Sequence, residues 1–218
     1  MISVNRSLII IASCLVLTIG FLPFGYYLLN VPFGLFNMKN REITTNVFWQ
    51  LFFHLHIVFA ATALLTGWLQ FRLKLSKGPH YHWHGFIGEI YAISFIISSL
   101  SALYISPYSN GGTPAFLGFF TLSILWFVIT LLGYINIQNV ITIRHQQLMI
   151  YSYALCFSGV TLRLWLPTLL LFITEFDSAY NIVAWLCWIP NLIVAHIINK
   201  KINKTKNSNH IFQLKKNK

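Results

Sequence analysis

Six apolar stretches of about twenty residues decide what this chain can fold into. They run from Leu8 to Leu29, Asn46 to Leu69, Pro79 to Ser106, Ala115 to Gln138, His145 to Phe172 and Ala179 to Asn199. Each is long enough to cross roughly 30 Å of hydrocarbon as a helix rising about 1.5 Å per residue. Only 9% of the 218 residues are charged while 56% are hydrophobic. A water-soluble domain of this size needs about 25% charged residues. The expectation is therefore an all-α, polytopic transmembrane bundle of about six helices. Residues 1–45 make the first helix and an outer loop, 46–199 a five-helix core, and 200–218 a basic tail, read as disordered from its Lys/Asn composition.

The net charge of +11 does not point to nucleic acid, because seven of the fifteen Lys and Arg fall in the last nineteen residues, directly after an apolar helix. A cationic tail facing anionic lipid accounts for it. With six crossings, twelve of the fifteen lie on one side and two on the other, with Arg163 inside a helix. The positive-inside rule then places both termini in the cytoplasm, with Trp49, Trp185 and Trp188 toward the outer interface. Leu8–Leu29 is too long, and lacks the small-residue site, for a cleaved signal. Cys14, Cys156 and Cys187 have no paired spacing and read as buried small hydrophobes.

Polar groups inside such helices are costly, and each is a candidate for function. The stretch Gly78–Tyr91 holds three of the eight histidines and one of the four acidic residues, Glu89. Pro79 suits a helix start. His80, His84, Gly88 and Tyr91 then share a face. In the fifth helix His145, Ser152, Cys156, Gly159 and Arg163 recur on one face, and His145 and Arg163 stand about 27 Å apart. His54 and His56 lie about 200° apart on the second helix. His56 aligns with Ala60, Ala63 and Gly67, a small-residue face that suits the bundle interior. Pro190 kinks the sixth helix, which carries His196 near its cytoplasmic end. Two clusters result: His80, His84, His145 and His196 with Glu89 near one surface, and His56 with Arg163 toward the other. Arg163 either reaches out to Glu175 or Asp177 or stays inside to bind an anionic group.

The segments His56…Gly67-Trp-Leu-Gln70-Phe71, His84-Gly-Phe-Ile-Gly88-Glu-Ile-Tyr91, Gly111-Gly112, His145-x-x-x-Met149-x-x-Ser152-Tyr153-Ala154-Leu155, Val160-Thr161-Leu162-Arg163-Leu164 and Trp188-Ile-Pro190-Asn191 together resemble the bacterial predicted-membrane-protein family filed as domain of unknown function twenty-three-oh-six. The likeness covers about residues 46–198. It implies a multi-helix inner-membrane protein and no particular reaction. The family carries an arginine after the third- and fifth-helix histidines, where this chain has Gly85 and Gln146.

Three functions fit these residues. In the first, His84 and His145 are axial ligands of a b-type haem, and Arg163 with His56 binds a quinone or anion, for electron transfer within the bilayer. In the second, His84, His145 and His196 hold a Zn or Fe ion and Glu89 serves as base of a membrane hydrolase. In the third, the residues are structural in a non-enzymatic transporter, sensor or assembly protein.

Overall fold

The computed structural model describes residues 6–29, 38–72, 79–136 and 143–216. The expected loops around Pro32 and Gly34 and at Lys74 and Lys77, and the side chains of Arg72 and His80, lie outside the described residues. Every regular element described is helical: α1 (Arg6–Leu29), a single turn α2 (Arg41–Thr44), α3 (Val47–Arg72), α4 (Pro79–Ile105), a 3-10 turn (Ser106–Tyr108), α5 (Thr113–Ile135), α6 (Ile143–Cys156), α7 (Ser158–Leu170), α8 (Phe176–Leu186) and α9 (Ile189–Lys216). They form six spans long and apolar enough to cross a membrane, with α6–α7 and α8–α9 each making one. All backbone groups of a span must be satisfied internally in lipid, so helices are the solution for an apolar chain of this kind.

The sixth span breaks where the sequence weakens the helix, and the fifth breaks with no such signal. Pro190 cannot donate to Leu186, and the sixth span is interrupted just before it, between α8 and α9. The fifth is interrupted at Phe157, where the ladder tightens through Val160 N–H donating to the Phe157 carbonyl (2.9 Å). The two breaks are stitched to each other. Thr161 Oγ1 donates to the Cys187 carbonyl. Asn191 Nδ2 reaches the Ala154 carbonyl (3.2 Å), Thr161 Oγ1 (3.1 Å) and the Cys187 carbonyl (2.9 Å). Side chains thus take up backbone acceptors loosened inside the membrane.

Three expectations are corrected. Trp49 and Trp188 do not face out of the bundle as belt residues would: they are 2% and 6% exposed. Trp49 stacks on Phe53 (4.8 Å between centroids) and Trp188 Nε1 donates to the Ala184 carbonyl (2.8 Å). Trp185, at the bundle edge, bonds the Pro114 carbonyl (3.2 Å). The tail is not disordered: α9 continues to Lys216, since no Gly or Pro interrupts residues 191–216. Among the cysteines, Cys14 is exposed, while Cys156 and Cys187 are buried free thiols.

The turn at Asn110-Gly111-Gly112 is present, with both glycines at positive φ. A Cβ on Gly111 would lie 2.5 Å from Asn181 Oδ1, so α8 closes directly onto this turn. Nearby, Lys39 Nζ donates to the Tyr108 carbonyl. Burial lowers the Lys39 ammonium to about 8, against the opposing attraction of Asp177. The unfolded chain keeps its proton up to the ordinary value of 10.5, so it binds more protons than the folded chain between about pH 8 and 10.5. Stability contributed at this site therefore rises with pH through that window, and the penalty is fully present below pH 8. In thermal unfolding in detergent, the melting temperature of the native protein relative to Lys39→Met should climb from pH 8 to 10. Parallel curves would remove Lys39 from the account.

Candidate functional site

Helix α3 packs along α4, α4 against α5, α5 against α6, and α6 returns to α3. In this four-helix ring α4 and α6 stand diagonally opposed. The close approach depends on Gly67, where a Cβ would sit 2.6 Å from the Tyr153 ring and 2.9 Å from the Tyr91 ring. Both rings are buried, and Tyr153 Oη donates to the Leu64 carbonyl (3.2 Å).

A buried hydroxyl chain crosses the ring. Tyr91 Oη and Ser152 Oγ are 2.6 Å apart, Ser152 Oγ and Thr130 Oγ1 are 2.6 Å apart, and Thr130 Oγ1 is 2.6 Å from the Trp126 carbonyl. A carbonyl only accepts, so Thr130 donates to Trp126, Ser152 to Thr130 and Tyr91 to Ser152. Interhelical hydrogen bonds of this kind contribute about 0.6–1.7 kcal/mol in membranes. Ser152→Ala breaks two links of the chain, whereas Tyr91→Phe removes one link and its donor together. The expected costs are about 2 and about 1 kcal/mol in reversible detergent unfolding. The reverse order would contradict this direction of donation.

Toward the ends of α4 and α6 nearest residues 79 and 143, this thread leads to two histidines. His145 Nδ1 is 2.8 Å from the Gly133 carbonyl. Nδ1 therefore carries the proton, and Nε2 is left with its lone pair. His84 lies near enough to His145 for the two rings to interact. Its Nδ1 is buried with no hydrogen-bond partner among the described residues. Gln70, on the last turn of α3, donates from Nε2 to the His84 carbonyl (2.6 Å) and fills the space beside Gly88, while its Oε1 is a second buried polar atom without a partner among the described residues. Met149 Sδ fills the corresponding space at Gly133, 3.1 Å from where a Cβ would stand. His84 and His145, on diagonal helices, thus come near one another, with Gln70 beside the first and Met149 beside Gly133, the acceptor of the second.

The other predicted residues are placed elsewhere. His56 Nδ1 lies 3.0 Å from both the carbonyl and Oγ of Ser98, whose hydroxyl reaches back to the His56 carbonyl (3.2 Å). That pairing fixes the proton on Nδ1 and frees Nε2. Arg163 does not reach Glu175 or Asp177. Its Nη1 donates to the Gly159 carbonyl one turn earlier (2.8 Å). The single polar face expected along the fifth span turns outward beyond the break at Phe157: Ser152 and Cys156 are buried, Arg163 is exposed. His54 pairs with the Tyr27 hydroxyl of α1 (2.5 Å). His196 is exposed and bonded to Tyr151 (2.9 Å), six residues beyond His145 and about 9 Å along the axis. Glu89 is exposed. Among the described residues no three His, Cys, Asp or Glu side chains gather to hold a metal ion. The expected His84–His145–His196 metal set does not assemble there, because His196 belongs to the α6–α9 interface.

Gln70, Thr130 and Met149 carry parts of this arrangement that the sequence did not assign. A lone amide ending an apolar helix was the available signal for Gln70. Thr130 gave none, since a membrane threonine usually bonds its own helix.

The fold and its buried polar thread define a polytopic helical membrane protein. The family model described as Predicted membrane protein (DUF2306) matches residues 53–199, and the chain belongs to that family. No curated protein and no solved structure matches the chain.

Proposed function

We propose that the protein is a membrane electron-transfer protein that holds a b-type haem between His84 and His145 and exchanges electrons with a quinone near His56 and Arg163. The carrying observation is the orphaned Nδ1 of His84 beside His145, whose Nε2 is left free to ligate. Histidines on facing helices, each with Nδ1–H held by an acceptor, are the donor set such haems use. His145 has its acceptor in Gly133. For His84 the neighbouring amide is Gln70, whose Oε1 is an unpartnered acceptor among the described residues. Gln70 and Met149 are flexible and can withdraw from the space they fill. The haem supplies a one-electron reservoir when bound. The chain's part is to fix both rings, exclude water through the packed ring below, and set the field around the iron.

Toward the opposite surface, Arg163 supplies a cation for a quinone oxygen, and His56 Nε2 supplies a proton acceptor oriented by Ser98. The Lys/Arg asymmetry supports cytoplasmic termini in a bacterial inner membrane. The test is the absorption spectrum of protein purified in mild detergent from haem-replete cells, oxidised and then dithionite-reduced. A Soret band with sharpened reduced peaks is expected. A flat spectrum overturns the reading and leaves a non-enzymatic membrane protein as its successor.

A further inference from the structure

A second polar feature lies away from His84 and His145. A groove of about 340 Å³ between α6 and α9 is lined by Gln147, Tyr151, His196, Asn199, Lys200 and Asn203. It sits at the basic end of α9, where Lys200, Lys201 and Lys204 follow the apolar stretch. Its walls are tied together by Gln147 Nε2 donating to Asn203 Oδ1 (2.7 Å), Asn199 Nδ2 to the Gln147 carbonyl (3.1 Å) and the Tyr151–His196 pair. One group is left over. Asn199 is 5% exposed, and its Oδ1 is buried with no partner among the described residues. An acceptor in that state calls for a donor. Lys200 stands exposed at the rim and calls for an anion.

We infer that this groove binds the headgroup of an anionic phospholipid bearing free hydroxyls. The phosphate faces Lys200 and the Asn203 amide, and a headgroup hydroxyl donates to Asn199 Oδ1. Choline offers no donor to that oxygen. Ethanolamine offers an ammonium, which Lys200 repels. Asn199 directly precedes the lysines that end the apolar stretch of α9, the level at which a leaflet lipid carries its headgroup. The lysines that follow on α9 raise the local concentration of anionic lipid.

The experiment uses the full chain, delipidated in mild detergent, titrated separately with phosphatidylglycerol, phosphatidylethanolamine, phosphatidylcholine and inorganic phosphate. Bound lipid is read by native mass spectrometry and melting temperature. One phosphatidylglycerol should be retained under conditions that strip the other lipids, and it should raise the melting temperature. Lys200→Gln should weaken it about fivefold, the worth of one lysine near an anionic surface. Lys201→Gln, with the same charge change about 100° around the helix, should leave it intact. Asn199→Leu, which removes the acceptor, should erase the preference for phosphatidylglycerol over phosphatidylethanolamine. Equal binding of those two lipids by the native protein overturns the proposal. So does equal weakening by Lys200→Gln and Lys201→Gln, or protection by inorganic phosphate as strong as by phosphatidylglycerol.

Discussion

His145→Ala should emerge from the membrane folded and without the Soret band of the native protein. The imidazole touches the bundle through one hydrogen bond, to the Gly133 carbonyl, and is only partly buried, so its loss removes a ligand without opening the core. His84→Ala should do the same, because its Nδ1 bonds nothing among the described residues and only its backbone carbonyl is engaged, by Gln70. Haem occupancy should fall at least about tenfold in either variant, the lower end of what even supporting residues cost at such sites. Imidazole added to the purified variant should restore part of the spectrum, an outcome that unfolding cannot produce. His56→Ala, with its ring at Ser98, should keep the native spectrum and lose quinone reactivity instead. A spectrum unchanged in both His84→Ala and His145→Ala would sink the ligand assignment.

Helix number and span limits were legible because they rest on run length, which the hydrocarbon thickness fixes. Pro79 starts α4 and Pro190 interrupts the sixth span, as expected of residues that cannot donate. The break at Phe157 was not legible. No Gly or Pro stands at 157, and the stitch from Thr161 and Asn191 that accompanies the break comes from tertiary contact. That break is also why a straight-helix projection carried the polar face too far, to Arg163. The tryptophans misled for a related reason. Aromatic belts are a statistical preference for the interface, and Trp49 is instead drawn into the bundle beside Phe53. His84 and His145 could be placed at one level from sequence, but not on diagonal helices, since helix order in a bundle leaves no trace in periodicity. His196 shared that level by counting and was misassigned because its partner, Tyr151, points to a different face.

Gly67→Leu should destabilise the protein by about 3 kcal/mol or more, the upper end of what overpacking costs. The first added carbon already falls 2.6 Å from Tyr153 Cδ2 and Cε2 and 2.9 Å from Tyr91 Cε2, and three more must follow. Neither ring can step aside. Tyr153 is tied to the Leu64 carbonyl, and Tyr91 is held by Ser152 at the head of the hydroxyl chain. The strain therefore passes into the backbone and parts α3 from α4 and α6. Gly25→Leu is the matched control, since a Cβ there meets nothing within 4 Å and the new side chain faces lipid. Melting temperature in detergent should drop steeply for Gly67→Leu and stay within a degree or two for Gly25→Leu. Gln70 is one turn further along the face that carries Gly67, so the same displacement should pull its amide from His84 and distort any haem spectrum before the protein unfolds. Equal stability of the two leucine variants would mean that α3 does not approach the tyrosines as closely as the fold requires, and the site above them would lose its floor.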